Sequence, residues 1–232
     1  MNPVLRASIG ELAGTFTLTF IGAGAIINGV GGLTGIALAH GLALSMAVYF
    51  TQGGHINPAV TIAMLATRRI QLPAALSYIA FQLGGAVLAA FALKQLFPEG
   101  AVAAAKLGAT LGTAENITAL GPVKTALLEA VLTFLLLMTI FGVAVDKRGA
   151  KNVYGFAIGL TICMDILAAG PLTGASMNPA RSLGPALISG EWRDFWLYIA
   201  GPVTGAALGA LVYQLVRGHS PDVPPATTPE GT

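Results

Sequence analysis

The sequence predicts an all-α membrane protein of six transmembrane helices and two re-entrant half-helices, built as an inverted repeat. Three observations carry this. Hydrophobic residues make up 55% of the 232-residue chain and charged residues only 9%, whereas a soluble domain carries about 25% charge; the chain lacks the polar residues to coat a water-facing surface. Its apolar stretches are long rather than ten-residue and alternating, which selects helices over an outer-membrane barrel. The tripeptide Asn-Pro-Ala occurs twice, at Asn57-Pro58-Ala59 and Asn178-Pro179-Ala180, with an offset of 121.

Apolar runs read against the roughly 20 residues needed to span a bilayer place helices near 7–28, 33–51, 74–96, 123–145, 153–170 and 194–216. The first run follows Arg6 and has the look of a signal peptide. Glu11 interrupts it, however, and a similar segment recurs at Glu129, so it reads as a retained helix. Two further apolar segments, about 58–67 and 179–189, follow the Asn-Pro-Ala tripeptides and are too short to cross. Proline fits the first helical turn, where its missing N–H has no intrahelical partner, and the asparagine before it is a favoured N-cap. Each tripeptide therefore reads as a helix N-terminus with about half a positive charge at its tip.

The recurrence extends along the chain. Glu11-Leu-Ala-Gly-Thr-Phe16 resembles Glu129-Ala-Val-Leu-Thr-Phe134, and Tyr78-Ile-Ala80 with Gly85 matches Tyr198-Ile-Ala200 with Gly205. Each copy, about 6–96 and about 123–217, crosses three times, so the second must be inserted upside down. Inverted repeats bring their half-helix N-termini together near the bilayer midplane. Residues 1–217 read as a single channel domain, 97–121 as a long external loop joining the copies, and the proline-rich 218–232 as a disordered cytoplasmic tail. With the N-terminus inside, the inner loops carry Arg6, Arg68, Arg69, Lys147, Arg148, Lys151 and Arg217. The outer ones carry Lys94, Lys106, Lys124 and Arg193, and this excess places both termini in the cytoplasm.

No catalytic constellation is present. The histidines are His40, His55 and His219, the single cysteine is Cys163, and no Cys/His/carboxylate cluster has metal-ligand spacing. No enzyme activity, metal, cofactor or nucleic-acid partner is expected. What remains is the pair of half-helices. Non-helical backbone at membrane depth is tolerated only where protein buries it or a wet cavity needs it. Residues 52–56 and 173–177 would then present carbonyls to a narrow pore, with amide donors from Asn57 and Asn178 at its centre. A water passing there turns its oxygen to both asparagines, while the positive helix tips repel cations and protons.

With both Asn-Pro-Ala boxes, the Glu-x-x-Gly-Thr-Phe opening, the repeat, and Asn-Pro-Ala-Arg-Ser followed by Gly-Pro-Ala, nearly the whole chain resembles the aquaporin (major intrinsic protein) family. The resemblance implies a right-handed six-helix bundle, a homotetramer with one pore per subunit, in a plasma or inner membrane. It implies passive conduction of water, with ammonia or hydrogen peroxide as further solutes; the alternative is a facilitator for glycerol or another small neutral solute. A coupled transporter would need an ionisable relay beside the tripeptides, and none is there.

The same resemblance assigns a selectivity filter. Arg181 stands at the family's filter arginine, and Ala175 and Ile166 match two other filter positions. The helix 2 position has two candidates. The usual distance before Asn57 points to Ala37, while the segment Ala37-Leu-Ala-His-Gly-Leu-Ala-Leu44 points to His40, and His40 is the one chosen. His40, Ile166, Ala175 and Arg181 would resemble the filters of vacuolar and ammonia-permeable aquaporins; an alanine in place of His40 would resemble wider channels for metalloids or polyols. Ser182 and Ala186 follow the water-channel pattern, from which Ile199 departs. Glu11 and Glu129 are expected to hold the pore loops by accepting backbone N–H bonds, and His55 to brace a loop. Asp165, buried beside Ile166, is expected to find a hydrogen-bonding partner such as His40 or a loop amide, since an unpaired buried acid costs several kcal/mol or protonates.

Overall fold

The structure, a computed structural model, describes residues 1–111 and 114–217; the tail at 218–232 lies outside them. Nine α-helices are seen among the described residues: α1 Pro3–Asn28, α2 Gly32–Phe50, α3 Pro58–Ala66, α4 Leu72–Leu96, α5 Glu99–Ala104, α6 Ala114–Ile140, α7 Tyr154–Thr173, α8 Pro179–Ser189 and α9 Leu197–Arg217. Six of them, α1, α2, α4, α6, α7 and α9, have the length and hydropathy to cross a bilayer. Helices α3 and α8, of 9 and 11 residues, rise about 1.5 Å per residue and stop near half a membrane thickness.

Local chemistry sets the helix ends. The Asn2 side chain accepts from the Val4 N–H at 2.8 Å ahead of Pro3, which starts α1 earlier than its apolar run does. Gly29 closes α1 in the left-handed conformation, and Gly174, at φ 88°, closes α7. Helix α7 therefore runs past Pro171 to Thr173, beyond the expected end at 170. Helix α6 ends in one wider turn, Phe141–Val145. The Lys151 ammonium caps that end, donating to the carbonyls of Ala144 (2.7 Å), Asp146 (2.6 Å) and Val143 (3.3 Å), where a cation complements the helix dipole.

The packing repeats the sequence symmetry. Helix α1 packs along α4 as α6 packs along α9; α1 on α2 matches α6 on α7; α4 on α8 matches α9 on α3; and α2 crosses α7. The two tightest pairings close backbone to backbone. A β-carbon at Gly85 would collide with the Leu12 carbonyl of α1, and one at Gly205 would collide with the Ala130 carbonyl of α6. Only a small residue lets membrane helices approach so closely. The surface is apolar, unlike that of a soluble protein, and polar side chains are buried alongside the apolar core. Ser8, Glu11, Thr15, Thr19, Gln82, Thr133 and Arg181 are buried, while Leu38, Leu42 and Met46 of α2 and Leu160, Met164 and Leu167 of α7 line the outside.

The segment expected to be a long loop is more ordered than that. After α5, a tight turn at Lys106–Gly108 carries Leu107 into a small cluster with Ala23, Ile27, Ala90 and Leu93. Helix α6 begins at Ala114 and is broken by Gly121 (φ 73°, ψ 164°) before its spanning part. One buried leucine thus anchors the connection onto α1 and α4, and charge-poor composition alone gave no sign of it.

Candidate functional site

The half-helices α3 and α8 meet N-terminus to N-terminus. Asn57 caps α3 by accepting from the Ala59 N–H (2.9 Å), and Asn178 caps α8 by accepting from Ala180 (3.0 Å) and Arg181 (3.2 Å). Each amide also reaches across the junction. Asn57 Nδ2 donates to the Met177 carbonyl at 2.7 Å, and Asn178 Nδ2 donates to the Ile56 carbonyl at 2.8 Å. One hydrogen of each amide is spent on this cross-brace; the other has no protein acceptor among the described residues, and both asparagines line the cavity. Capping and pore lining are therefore the work of one side chain.

Ile56 and Met177, equivalent in the repeat, both adopt left-handed backbone, at φ 57° and 53°. For residues that are not glycine this costs about 1–3 kcal/mol and persists only where neighbours over-determine it. Here they do. Glu11 Oε1 and Oε2 accept from the His55 and Ile56 N–H groups, both at 2.6 Å. Glu129 Oε1 and Oε2 accept from Ser176 (3.0 Å) and Met177 (2.9 Å). The inverted twist turns each carbonyl toward the opposite asparagine while each N–H stays on its glutamate.

The third partner of each glutamate differs between the halves: Gln82 Nε2 for Glu11 (2.7 Å) and Thr173 Oγ1 for Glu129 (2.7 Å). Gln82 also donates to Thr61 at 2.9 Å. An amide in the middle of the apolar run of α4 was the available signal for Gln82. His55 braces its loop through Nδ1 to Thr61 Oγ1 at 3.0 Å and an edge contact with Tyr78.

A cavity of about 350 Å³ follows this junction. Its lining takes in His40, Ile166, Ala175 and Arg181 on one side of the asparagines, and Gln52, Arg69, Ala144 and Lys151 on the other. Beside that second mouth, Arg148 and Tyr213 both donate to the Asp146 carboxylate, at 2.6–3.1 Å and 2.8 Å, and hold it well below the usual carboxylate range.

The four residues assigned from the resemblance come together. Arg181, 2% exposed, donates from Nη1 to the Gly108 carbonyl at 3.0 Å, and its Nη2 lies 3.1 Å from His40 Nε2. Ile166 and Ala175 line the same cavity, and Ala37 does not: it is fully buried in the helix core. The Gly108 carbonyl escaped sequence reading, because a backbone oxygen leaves no compositional trace. Nearby, Ser182 Oγ bonds to Thr110 Oγ1 at 2.7 Å and to Ser176 Oγ, tying the same connection to α8.

The expected partner for Asp165 is absent. Both His40 nitrogens are engaged elsewhere, with Ile36 and Arg181, and Asp165 Oδ2 is buried with no partner among the described residues. Asp165 is buried and does not line the cavity. An orphaned buried polar group costs about 1–3 kcal/mol. Asp165→Leu is therefore expected to raise the thermal unfolding midpoint in detergent and leave water flux unchanged; a lower midpoint would show that the carboxyl has a stabilising partner.

The chain matches the family model described as "Major intrinsic protein" over residues 1–213. It is 41% identical to Aquaporin NIP1-1 of Oryza sativa subsp. japonica over 223 residues, covering 93% of this chain and 75% of the relative. It is 41% identical to Nodulin-26 of Glycine max (93% and 79% covered) and 40% identical to Aquaporin TIP4-4 of Zea mays (94% and 90%). Among solved structures, it superposes on the X-ray structure of the aquaglyceroporin from Plasmodium falciparum with a TM-score of 0.83, at 25% identity over 93% of this chain and 97% of that one.

Proposed function

The chain belongs to the major intrinsic protein family, the aquaporins, and is a membrane channel for water or small solutes rather than an enzyme; within that function we propose water as its principal solute, ammonia and hydrogen peroxide as further ones, and exclusion of protons and ions. The observation that carries this is the cavity passing from Arg181 and His40 to the crossed asparagines. Here the cavity wall is polar at Arg181 and His40 and apolar at Ile166 and Ala175. Such a wall takes a small neutral solute with one polar edge. At the centre, two helix N-termini and two free amide hydrogens favour an oxygen acceptor and disfavour a cation. Selection of solute is assigned to His40, Ile166, Ala175 and Arg181, and exclusion of charge to the Asn57 and Asn178 junction.

Glycerol conduction is the second reading, favoured by the apolar Ile166–Ala175 wall, which suits a carbon backbone. Residues 1–217 form one channel domain in this reading. The same reading includes a homotetramer in a plasma or inner membrane, supported by the exposed apolar surface of the spanning helices. The excess of Lys and Arg on the side of the N-terminus and of loops 67–71 and 146–153 supports a reading with both termini in the cytoplasm.

Proteoliposomes loaded with the purified chain provide the test. Under an osmotic gradient they are expected to shrink faster than empty vesicles, with a low activation energy and no dependence on pH or sodium gradients. A rate equal to empty vesicles would overturn the proposal. Glycerol flux of the same order as water would favour the second reading.

A further inference from the structure

The environment of His40 fixes its chemistry. Its Nδ1 lies 2.9 Å from the Ile36 carbonyl, which can only accept, so Nδ1 carries the hydrogen. Its Nε2 lies 3.1 Å from Arg181 Nη2, which can only donate, so Nε2 presents a lone pair. Both partners are satisfied by one neutral tautomer. That tautomer has no N–H left for a passing solute: the ring's donor is spent within α2 and its acceptor on the arginine. His40 is also enclosed, at 5% exposure.

Gly22 of α1 lies directly against the ring. A β-carbon at Gly22 would overlap the imidazole, and the first atom it would meet is Nε2, the one that accepts from Arg181. Gly22 is buried and does not line the cavity. The notch it leaves in α1 is filled by the ring edge that holds the guanidinium.

We propose that Gly22 and His40 form a positioning pair for Arg181: the missing side chain at Gly22 lets the imidazole stand back against α1, and from there Nε2 holds the guanidinium, with the Gly108 carbonyl as the second anchor. This deepens the assignment of solute selection to Arg181 and rests on it. His40 then acts on the solute through Arg181, and the remaining guanidinium N–H groups meet the solute from a fixed position. A residue on α1, outside the pore, thereby contributes to specificity.

The test uses full-length chains in proteoliposomes, reading water permeability and the glycerol-to-water permeability ratio. Gly22→Ala pushes the ring off α1 toward Arg181 and the lumen. Water permeability should fall roughly tenfold, the weight of one charge-assisted hydrogen bond. In the His40→Ala background there is no ring to displace, and adding Gly22→Ala should change nothing. An equal fall in both backgrounds would mean a helix-packing defect and would overturn the proposal.

A second arm avoids the glycine altogether. His40→Leu keeps a side chain of similar size but no acceptor, which frees the Nη2 hydrogen for a solute hydroxyl, so the ratio should rise severalfold. His40→Gln keeps an acceptor and should return the ratio toward that of the unmodified chain. A His40→Leu ratio equal to that of the unmodified chain would reduce His40 to a wall and sink the positioning role. If the unmodified chain itself conducts nothing above empty vesicles, the channel assignment beneath the proposal fails instead.

Discussion

Arg181→Val is expected to raise the glycerol-to-water permeability ratio at least about tenfold, while leaving proton leakage unchanged. Two contributions add. The substitution removes the positive group from a cavity lining that already includes apolar Ile166 and Ala175, and it opens volume beside the Gly108 carbonyl and His40 Nε2. A change of one charge-assisted contact, about 1.5–3 kcal/mol, corresponds to tenfold or more in relative barrier height. Proton exclusion should survive, because the two helix tips and the crossed asparagines lie farther along the cavity and do not bond to the guanidinium. Stopped-flow shrinkage under glycerol and sucrose gradients reads the ratio, and a pH-sensitive dye inside the vesicles reads the leak. An unchanged ratio would remove Arg181 from solute selection. A large proton leak would mean that charge exclusion is not confined to the asparagine junction.

The second large effect is expected at Glu129. Its carboxylate accepts from Ser176 N, Met177 N and Thr173 Oγ1 with almost no exposure. Glu129→Leu would leave two buried backbone N–H groups without acceptors, in a loop that already carries left-handed Met177 and Ala175. Each orphaned donor costs about 1–3 kcal/mol, and the loop conformation loses what over-determines it. A loss of about 3–5 kcal/mol, comparable to breaking a buried charged pair, would unfold much of the protein or collapse the second half of the pore. Glu129→Gln keeps one acceptor oxygen but points an NH₂ at a donor, so an intermediate loss is expected. Thermal unfolding in detergent and water flux would be measured together. A Glu129→Leu protein with full flux and an unchanged midpoint would show that other contacts hold the 173–177 loop.

Glu11 and Glu129 illustrate how much of this was legible in the chain. Their recurrence marked both positions, the family resemblance implied carboxylates bonded to the pore loops, and the structure gives each of them two backbone N–H groups. The third partners were not legible. Gln82 lies on α4 and Thr173 at the end of α7, so the two halves complete the same task from different helices. A sequence repeat reports what was kept in common, and it is silent where each half finds its own solution. Asp165 erred the other way. A buried acid ordinarily implies a partner, but Asp165 Oδ2 has none among the described residues, and both His40 nitrogens are bonded elsewhere.

Helix 2 shows where one-dimensional reading stops. Spacing from Asn57 favoured Ala37 and local sequence favoured His40. The two lie three residues apart on one helical face, so periodicity could not separate them. The arrangement of α1, α2 and α8 does, placing His40 Nε2 against Arg181 and Ala37 in the core.

By itself, the sequence determined the membrane, the six crossings, the two half-helices and the inverted repeat. Each of these follows from quantities read along the chain: apolar length, charge content, capping residues and a fixed offset. Only the tertiary structure decided what Arg181 touches. Its anchors, the Gly108 carbonyl and the His40 lone pair, come from segments 73 and 141 positions away. One is a backbone atom that every residue possesses, and the other is a tautomer that exists only once both of its partners are in place.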